Sequence, residues 1–299
     1  MSMQRLMLAE FFKLRKRMMT WIVAGLTIAL IVLLYSVMWS MSGRAGSFFE
    51  GGQRFSYQDL RRGLFLEAGV PFALQIIATF GTLLAVVLAA GAAGSEYAWG
   101  TVRLMATASS GRLRLITARL VVVFCMVALI ALMAIAVALA YSAVITTVNG
   151  GSDFSFVTAG FLKEQTFAFG RTLFVMSPFV ALAFAAAIVG RSTLAGVGVG
   201  LAVAFLEPLI SNLLRLGGSP WTKIPNYLID SNRDVIIAQN RLPAALQRFS
   251  FGPSTRELAS RGSHSPEAAA MILALWVAAF ITISFVVYRR RDITSASTG

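Results

Sequence analysis

The 299-residue chain is 57% hydrophobic and only 13% charged, with a net charge of +13. Soluble domains run nearer about 45–50% apolar and about 25% charged, so this much apolar surface excludes an ordinary soluble core. A single cysteine, Cys125, and a single histidine, His264, exclude a disulfide framework and a histidine-built metal centre within one chain.

Residues 1–17 set Met3, Leu6, Met7, Phe11, Leu14 and Met18 at helical spacing, with Arg5, Lys13, Lys16 and Arg17 forming a basic face. That stripe predicts a helix lying in the headgroup layer, beyond a charged flank that would only set orientation. Six apolar runs follow, at about 18–41, 70–93, 120–148, 172–189, 192–214 and 268–288. A helix crosses the hydrocarbon core with roughly 20 mainly apolar residues, and only helices or closed barrels satisfy their backbone there. None of these runs alternates polar with apolar residues as a barrel strand would. The predicted fold is therefore all-α, a polytopic membrane protein whose six transmembrane helices form a single domain over 1–299. The first run is longer than a secretory apolar region of about 7–15 residues and lacks a small-x-small cleavage site, so it is expected to remain as a span.

Trp21 and Trp39 bracket the first span, where amphipathic rings favour the interfaces. The loop at 42–69 is polar and glycine-rich, with a short helix expected at about 57–65. Pro71 falls near the start of the second span, where helices tolerate it. The loop at 149–171 opens on the turn signal Asn149-Gly150-Gly151, and Pro178 predicts a kink in the fourth span. The longest connection, 217–265, is punctuated by Pro220, Pro225, Pro243 and Pro253, which predicts short helical pieces such as 230–240. Its 221–229 stretch is apolar enough to dip into the membrane surface. Ser254-Thr255-Arg256-Glu257 reads as a capping box, and Ser265-Pro266-Glu267 as the start of the last span.

The basic residues cluster close to alternate span ends. Arg5, Lys13, Arg15, Lys16 and Arg17 precede the first span, and Arg103, Arg112, Arg114 and Arg119 separate the second from the third. Arg191 marks a tight turn between the fourth and fifth, and Arg289, Arg290 and Arg291 follow the sixth. Positive charge near span ends is retained in the cytoplasm, so both termini are expected there, in a plasma membrane whose anionic lipids meet the basic excess. The charge is thus accounted for without nucleic acid.

Glu207-Pro208 is the most unusual pair within the spans. A charged side chain at a span centre costs at least about 2.5–3.5 kcal/mol. Such a cost points to a role, either a helix break facing a substrate path or a pairing of Glu207 with Arg215; the alternative is a Glu207 protonated or solvated near the outer interface. Gly190, Gly196, Gly198 and Gly200 make a small-residue face containing Gly-x-x-x-Gly, suited to internal packing ahead of dimerisation.

Between the second and third runs, the segment at 94–112 reads Gly94-Ser95-Glu96-Tyr97-Ala98-Trp99-Gly100-Thr101-Val102-Arg103, then Ser109-Ser110-Gly111-Arg112. Ser95 is expected to cap a short helix that carries Glu96 in its first turn. Tyr97 and Trp99 give that helix aromatic surface, and Arg103 gives it a basic contact. The order Glu96, Gly100, Thr101, Arg103 before an arginine-marked turn resembles the permeases of type-2 ABC exporters. The opening Ala9-Glu10-Phe11-Phe12-Lys13-Leu14 resembles that family's elbow helix, and Arg289-Arg290-Arg291-Asp292-Ile293 resembles its basic ending. The resemblance implies that 94–112 is a coupling helix, with Glu96, Tyr97, Trp99, Gly100, Thr101 and Arg103 docking on a nucleotide-binding ATPase subunit. It also implies a second permease subunit, identical or paralogous, because six spans are half of the family's usual twelve.

The chain has no Gly-x-x-x-x-Gly-Lys-[Ser/Thr] phosphate loop, so ATP and magnesium are expected on the partner and no cofactor or catalytic residue on this chain. An intramembrane enzyme is disfavoured by the lack of an intramembrane histidine, aspartate pair or serine–histidine combination. A non-transporting membrane assembly or sensor subunit is the alternative.

Overall fold

A computed structural model describes residues 2–43, 47–50, 53–98, 112–149, 155–240, 253 and 255–290. Among these, six helical segments are long and apolar enough to cross a membrane, and the protein is an all-α, multi-pass membrane protein. Helix α1 (Met3–Lys16) precedes the first span, α2 (Met18–Ser42). A short antiparallel hairpin follows, β1 (Ser47–Glu50) with β2 (Gln53–Ser56), in register Phe48 opposite Phe55. This hairpin and α3 (Tyr57–Gly63) occupy the loop expected to hold only a short helix. The second span is built from α4 (Leu66–Ile76), a π-turn (Ile77–Gly81) and α5 (Thr82–Ala98). The remaining spans are α6 (Arg112–Val148), α7 (Ala159–Gly190), α8 (Thr193–Leu216) and, last in the chain, α11 (Pro266–Arg290). Between α8 and α11 come a 3₁₀ helix (Trp221–Tyr227), α9 (Ile229–Ile237) and α10 (Thr255–Ser260).

Several span boundaries lie beyond the expected ones. The fourth span was expected to start at 172, yet α7 begins at Ala159 and runs unbroken through Pro178. Lys163, Glu164 and Arg171 interrupt the apolar run but not the helix, because a helix continues past the hydrocarbon wherever its backbone still bonds to itself. Likewise α6 begins at Arg112, eight residues ahead of the expected start. The last span starts where Ser265-Pro266-Glu267 predicts, and Ser265 Oγ accepts the Ala268 N–H at 3.3 Å.

Several hydroxyls within the spans bond to a carbonyl of their own helix, which spares them an unpaired group in an apolar setting. Thr27 donates to the Val23 carbonyl, Thr82 to Ala78, Thr146 to Ser142 and Ser284 to Phe280, all at 2.6–2.8 Å. The second span is the central one: 72% of its apolar window is buried, against 17% for each of α8 and α11, which turn wide faces outward. The core between α5, α7 and α8 is built on small residues. A Cβ on Gly196 would lie 2.7 Å from the Ala183 carbonyl, the Ala187 Cβ and the Ala90 Cβ. A Cβ on Gly200 would meet Val86 and Ala183, whereas Gly198 faces open space. The Gly-x-x-x-Gly face is therefore spent on close packing within the chain.

Consecutive spans run antiparallel, so the span ends gather into two groups. Helix α1, the end of α5, the start of α6 and the α7–α8 turn form one, here the hairpin end, named for the consecutive helices α5 and α6 and distinct from the β1–β2 hairpin. The 3₁₀ helix and α9 cover the opposite, or cap, end. At the α7–α8 turn Arg191 adopts a left-handed backbone, φ 50, and the Ser192 side chain caps α8 through the Leu194 N–H. That is the tight turn the sequence predicts.

Candidate functional site

At the hairpin end, α1 lies along α6 with Leu6, Glu10 and Leu14 buried at four-residue spacing. Two of these belong to the predicted apolar stripe. The third is a carboxylate that the sequence placed in the elbow-like opening without a partner. Glu10 and Arg119 are each only 5% exposed. Arg119 Nε stands 3.2 Å from Glu10 Oε2, and Nη2 donates to Oε1 at 3.5 Å, a forked contact across 109 residues of chain. Lys13 Nζ lies 3.7 Å from the same carboxylate. Removing one partner of such a sealed pair strands the other charge.

The other flank, the end of α5, is held by a second basic side chain. Arg17, at the break between α1 and α2, donates through Nη1 to the Gly91 carbonyl at 3.2 Å and to Ser95 Oγ at 2.6 Å. The turn before α8 meets the same place, because a Cβ on Gly94 would overlap the Thr193 backbone. This corrects the expected role of Ser95. It does not begin a short helix but lies in the last turn of α5, which continues through Glu96 and Tyr97 to Ala98. Its hydroxyl is engaged by Arg17 instead. Tyr97 is half-buried at the end of that helix. Trp99, Gly100, Thr101 and Arg103, together with the Glu96 side chain, lie outside the described residues.

The cap end is organised around α9, which folds back between the spans. Glu207 Oε1 accepts the Asp230 N–H at 3.1 Å, so a span carboxylate takes one of the orphan donors at the N-terminus of α9. Glu207 lies nine residues before the end of α8, roughly 14 Å along a helix axis. This contact settles both features expected of the Glu207-Pro208 pair. Pro208 does not break the helix, since α8 is continuous over it. Glu207 does not pair with Arg215, which donates instead to the Arg261 carbonyl, Asn226 Oδ1 and Ser231 Oγ. Asn232, 1% exposed, closes the loop by donating to the Leu228 and Asn226 carbonyls at 2.7 and 2.8 Å.

Arg233 extends from α9 to the π-turn in the second span. Its Nη1 meets Asp230 Oδ1 at 3.1 Å, and its Nη2 donates to the Ala78 carbonyl at 3.0 Å and to Thr79 Oγ1 at 3.4 Å. A π-turn disturbs the regular helical ladder and recurs at functional positions. Here the guanidinium, with the Thr82 hydroxyl at 2.6 Å, supplies donors to the carbonyl inside that turn. No sequence signal pairs residue 233 with residue 78; only the fold does.

Beside Arg233 lies a cleft of ≈ 590 Å³ between the second, fourth and fifth spans and α9. Phe80, Leu83, Phe179 and Phe205 form its apolar wall, and Pro208 borders it, so one half of the Glu207-Pro208 pair does face a cavity. The hairpin end joins α1 to the second and third spans, and the cap end encloses the cleft.

No curated protein matches the chain. The model of the family described as Protein of unknown function (DUF2705) matches residues 26–294, nearly the whole chain, and the protein belongs to that family.

Proposed function

We propose that the chain is the transmembrane permease subunit of an ATP-driven ABC exporter. In this reading it sits in a bacterial or archaeal cytoplasmic membrane with both termini inside. A separate nucleotide-binding subunit holds ATP and magnesium, and a second permease subunit, identical or paralogous, completes the pathway. The observation that carries the reading is the double grip of α1 on the hairpin. Arg17 holds the flank before it through Gly91 and Ser95, and Glu10 holds the flank after it through Arg119. A push delivered to 96–112 by a closing ATPase dimer is then passed to the first three spans together, not absorbed by a loose loop. The basic residues Arg15, Lys16, Arg17, Arg114, Arg119, Arg191, Arg289 and Arg290 lie towards that same end, which supports its cytoplasmic orientation.

The test is co-purification from native membranes of the full chain and its charge-reversal variants Glu96→Lys and Arg103→Glu. A P-loop ATPase should accompany the wild type, and its capture should fall by about tenfold or more in either variant, with export lost in parallel. Undiminished capture and export in both variants would overturn the coupling role. Cysteine labelling of the 96–112 hairpin from the external face would overturn the orientation.

A further inference from the structure

The cap is sunk into the bundle, and three contacts give its depth. Glu207, which accepts the Asp230 N–H, lies roughly 14 Å along α8 from its cap-side end. Trp276 Nε1 donates to the Tyr227 carbonyl at 3.0 Å, and Trp276 lies roughly 15 Å into α11. Arg233 reaches the Ala78 carbonyl, roughly 18 Å into the second span. Two of the three cap partners are backbone atoms, so the chain itself stands near that level. With α8 about 36 Å long against a hydrocarbon core of about 30 Å, the level falls well inside one leaflet.

The two sides of this segment differ in chemistry. A 3₁₀ helix turns about once every three residues, so Trp221, Ile224 and Tyr227 stand in one row, and they are 52%, 43% and 60% exposed. The row starts against the end of α8, where Leu213 and Leu216 are exposed to the outside of the bundle. Lys223, exposed beside it, has a stem long enough to carry its ammonium towards the headgroups. On the other side Asp230, Arg233 and Asp234 of α9 line the cleft together with Arg261. Two acids and two bases leave these four without net charge. The cleft continues inward to Thr79, Thr82 and Leu83, around the midpoint of the second span. Ionisable groups at membrane depth face other protein or a water-filled cavity, and backbone outside the spanning helices is tolerated there on the same terms.

We propose that the segment 221–237 is a re-entrant wedge in the cap-side leaflet, and that the cleft behind it is an aqueous vestibule ending near the middle of the second span. Lipid covers the row of Trp221, Ile224 and Tyr227, because that row is continuous with a span face that already meets hydrocarbon. Water fills the cleft, because four ionisable side chains line it at a depth where hydrocarbon would leave them unsolvated. The wedge is what keeps the two apart. This inference goes beyond the transport reading and does not need it: a dry cleft would leave ATPase capture by 96–112 unchanged.

Single cysteines in a Cys125→Ser background, with the full chain in nanodiscs, test it. The probes are two small membrane-impermeant methanethiosulfonates, one cationic and one anionic, so that the sign of a local field does not decide the result. Ala204 and Leu206 are a matched pair at one depth on α8: Ala204 lines the cleft, and Leu206, 52% exposed, lies outside it. Ala204→Cys and Leu83→Cys should react faster than Leu206→Cys and Ile224→Cys by about a hundredfold or more, because a thiol in hydrocarbon does not ionise. Thermal melting identifies any variant that has lost its fold, and complete modification after denaturation shows that each thiol is present. Cleft thiols as inert as Leu206→Cys in folded variants would overturn the vestibule. Rapid modification of folded Ile224→Cys would place the 3₁₀ row in water and sink the wedge.

Discussion

At the hairpin end a sealed ion pair, Glu10 with Arg119, fastens the N-terminal helix to the third span. At the cap end the charged groups border a cleft and divide their bonds between carboxylates and backbone carbonyls. The first arrangement buries a carboxylate between two cations, with Arg119 the nearer and Lys13 the farther. The second spreads Arg233 over Asp230, Ala78 and Thr79, so no single contact carries the cap alone. The first fixes α1 to the third span as one unit, and the second leaves polar groups beside an open cleft. The two are linked by the second span, whose π-turn is held by Arg233 and whose last turn is held by Arg17.

Breaking the sealed pair gives the largest expected effect. Arg119→Met leaves the buried Glu10 carboxylate to the more distant Lys13 ammonium, and melting in detergent should show a loss of about 3 kcal/mol. The double variant Glu10→Leu/Arg119→Met should recover most of it, since a packed apolar pair replaces the ions at little net cost. A loss in the double variant as large as in the single one would mean that the pair is not sealed as described. At the cap end, Arg233→Ala leaves the Ala78 carbonyl and Asp230 short of a donor, for a loss of about 1–3 kcal/mol. Hydrogen exchange should then quicken at 77–82 while 91–95 stays protected. Faster exchange at both places would show that the two ends do not behave separately.

Between the ends, Gly196→Leu forces α8 away from Ala90 and Ala183 and should cost about 1–3 kcal/mol. Gly198→Leu, which faces open space, should change stability by less than about 0.5 kcal/mol. A smaller loss than that of Gly196→Leu is expected from Tyr35→Phe. It removes the 2.7 Å bond from the buried hydroxyl to the Gly69 carbonyl, worth about 0.5–1.5 kcal/mol within a bundle.

The membrane class, the six spans and several helix starts were legible because hydropathy and capping are local properties. A run such as 18–41 has nowhere to go but lipid or a protein interior, and Ser265-Pro266-Glu267 fixes a helix start within four residues. The site was legible only in outline. Glu207-Pro208 stood out by its cost within a span, but its partner is a backbone N–H 23 residues away, presented by a helix that folds back. Ser95 carried a good capping signal, yet the helix before it continued, and Arg17 took the hydroxyl. Glu10 stood within the elbow-like opening, but nothing in the sequence paired it with Arg119, 109 residues on.

The sequence by itself determined that the chain must live in a bilayer and where its helices lie, because burying apolar residues and satisfying a backbone without water admit few solutions. It also determined that charge gathers at alternate span ends. Only the tertiary structure decided which charges meet, which glycines yield to a neighbouring backbone, and that a chamber opens beneath α9. Those outcomes depend on distances between segments 23 to 155 residues apart, and neither composition nor periodicity encodes such distances.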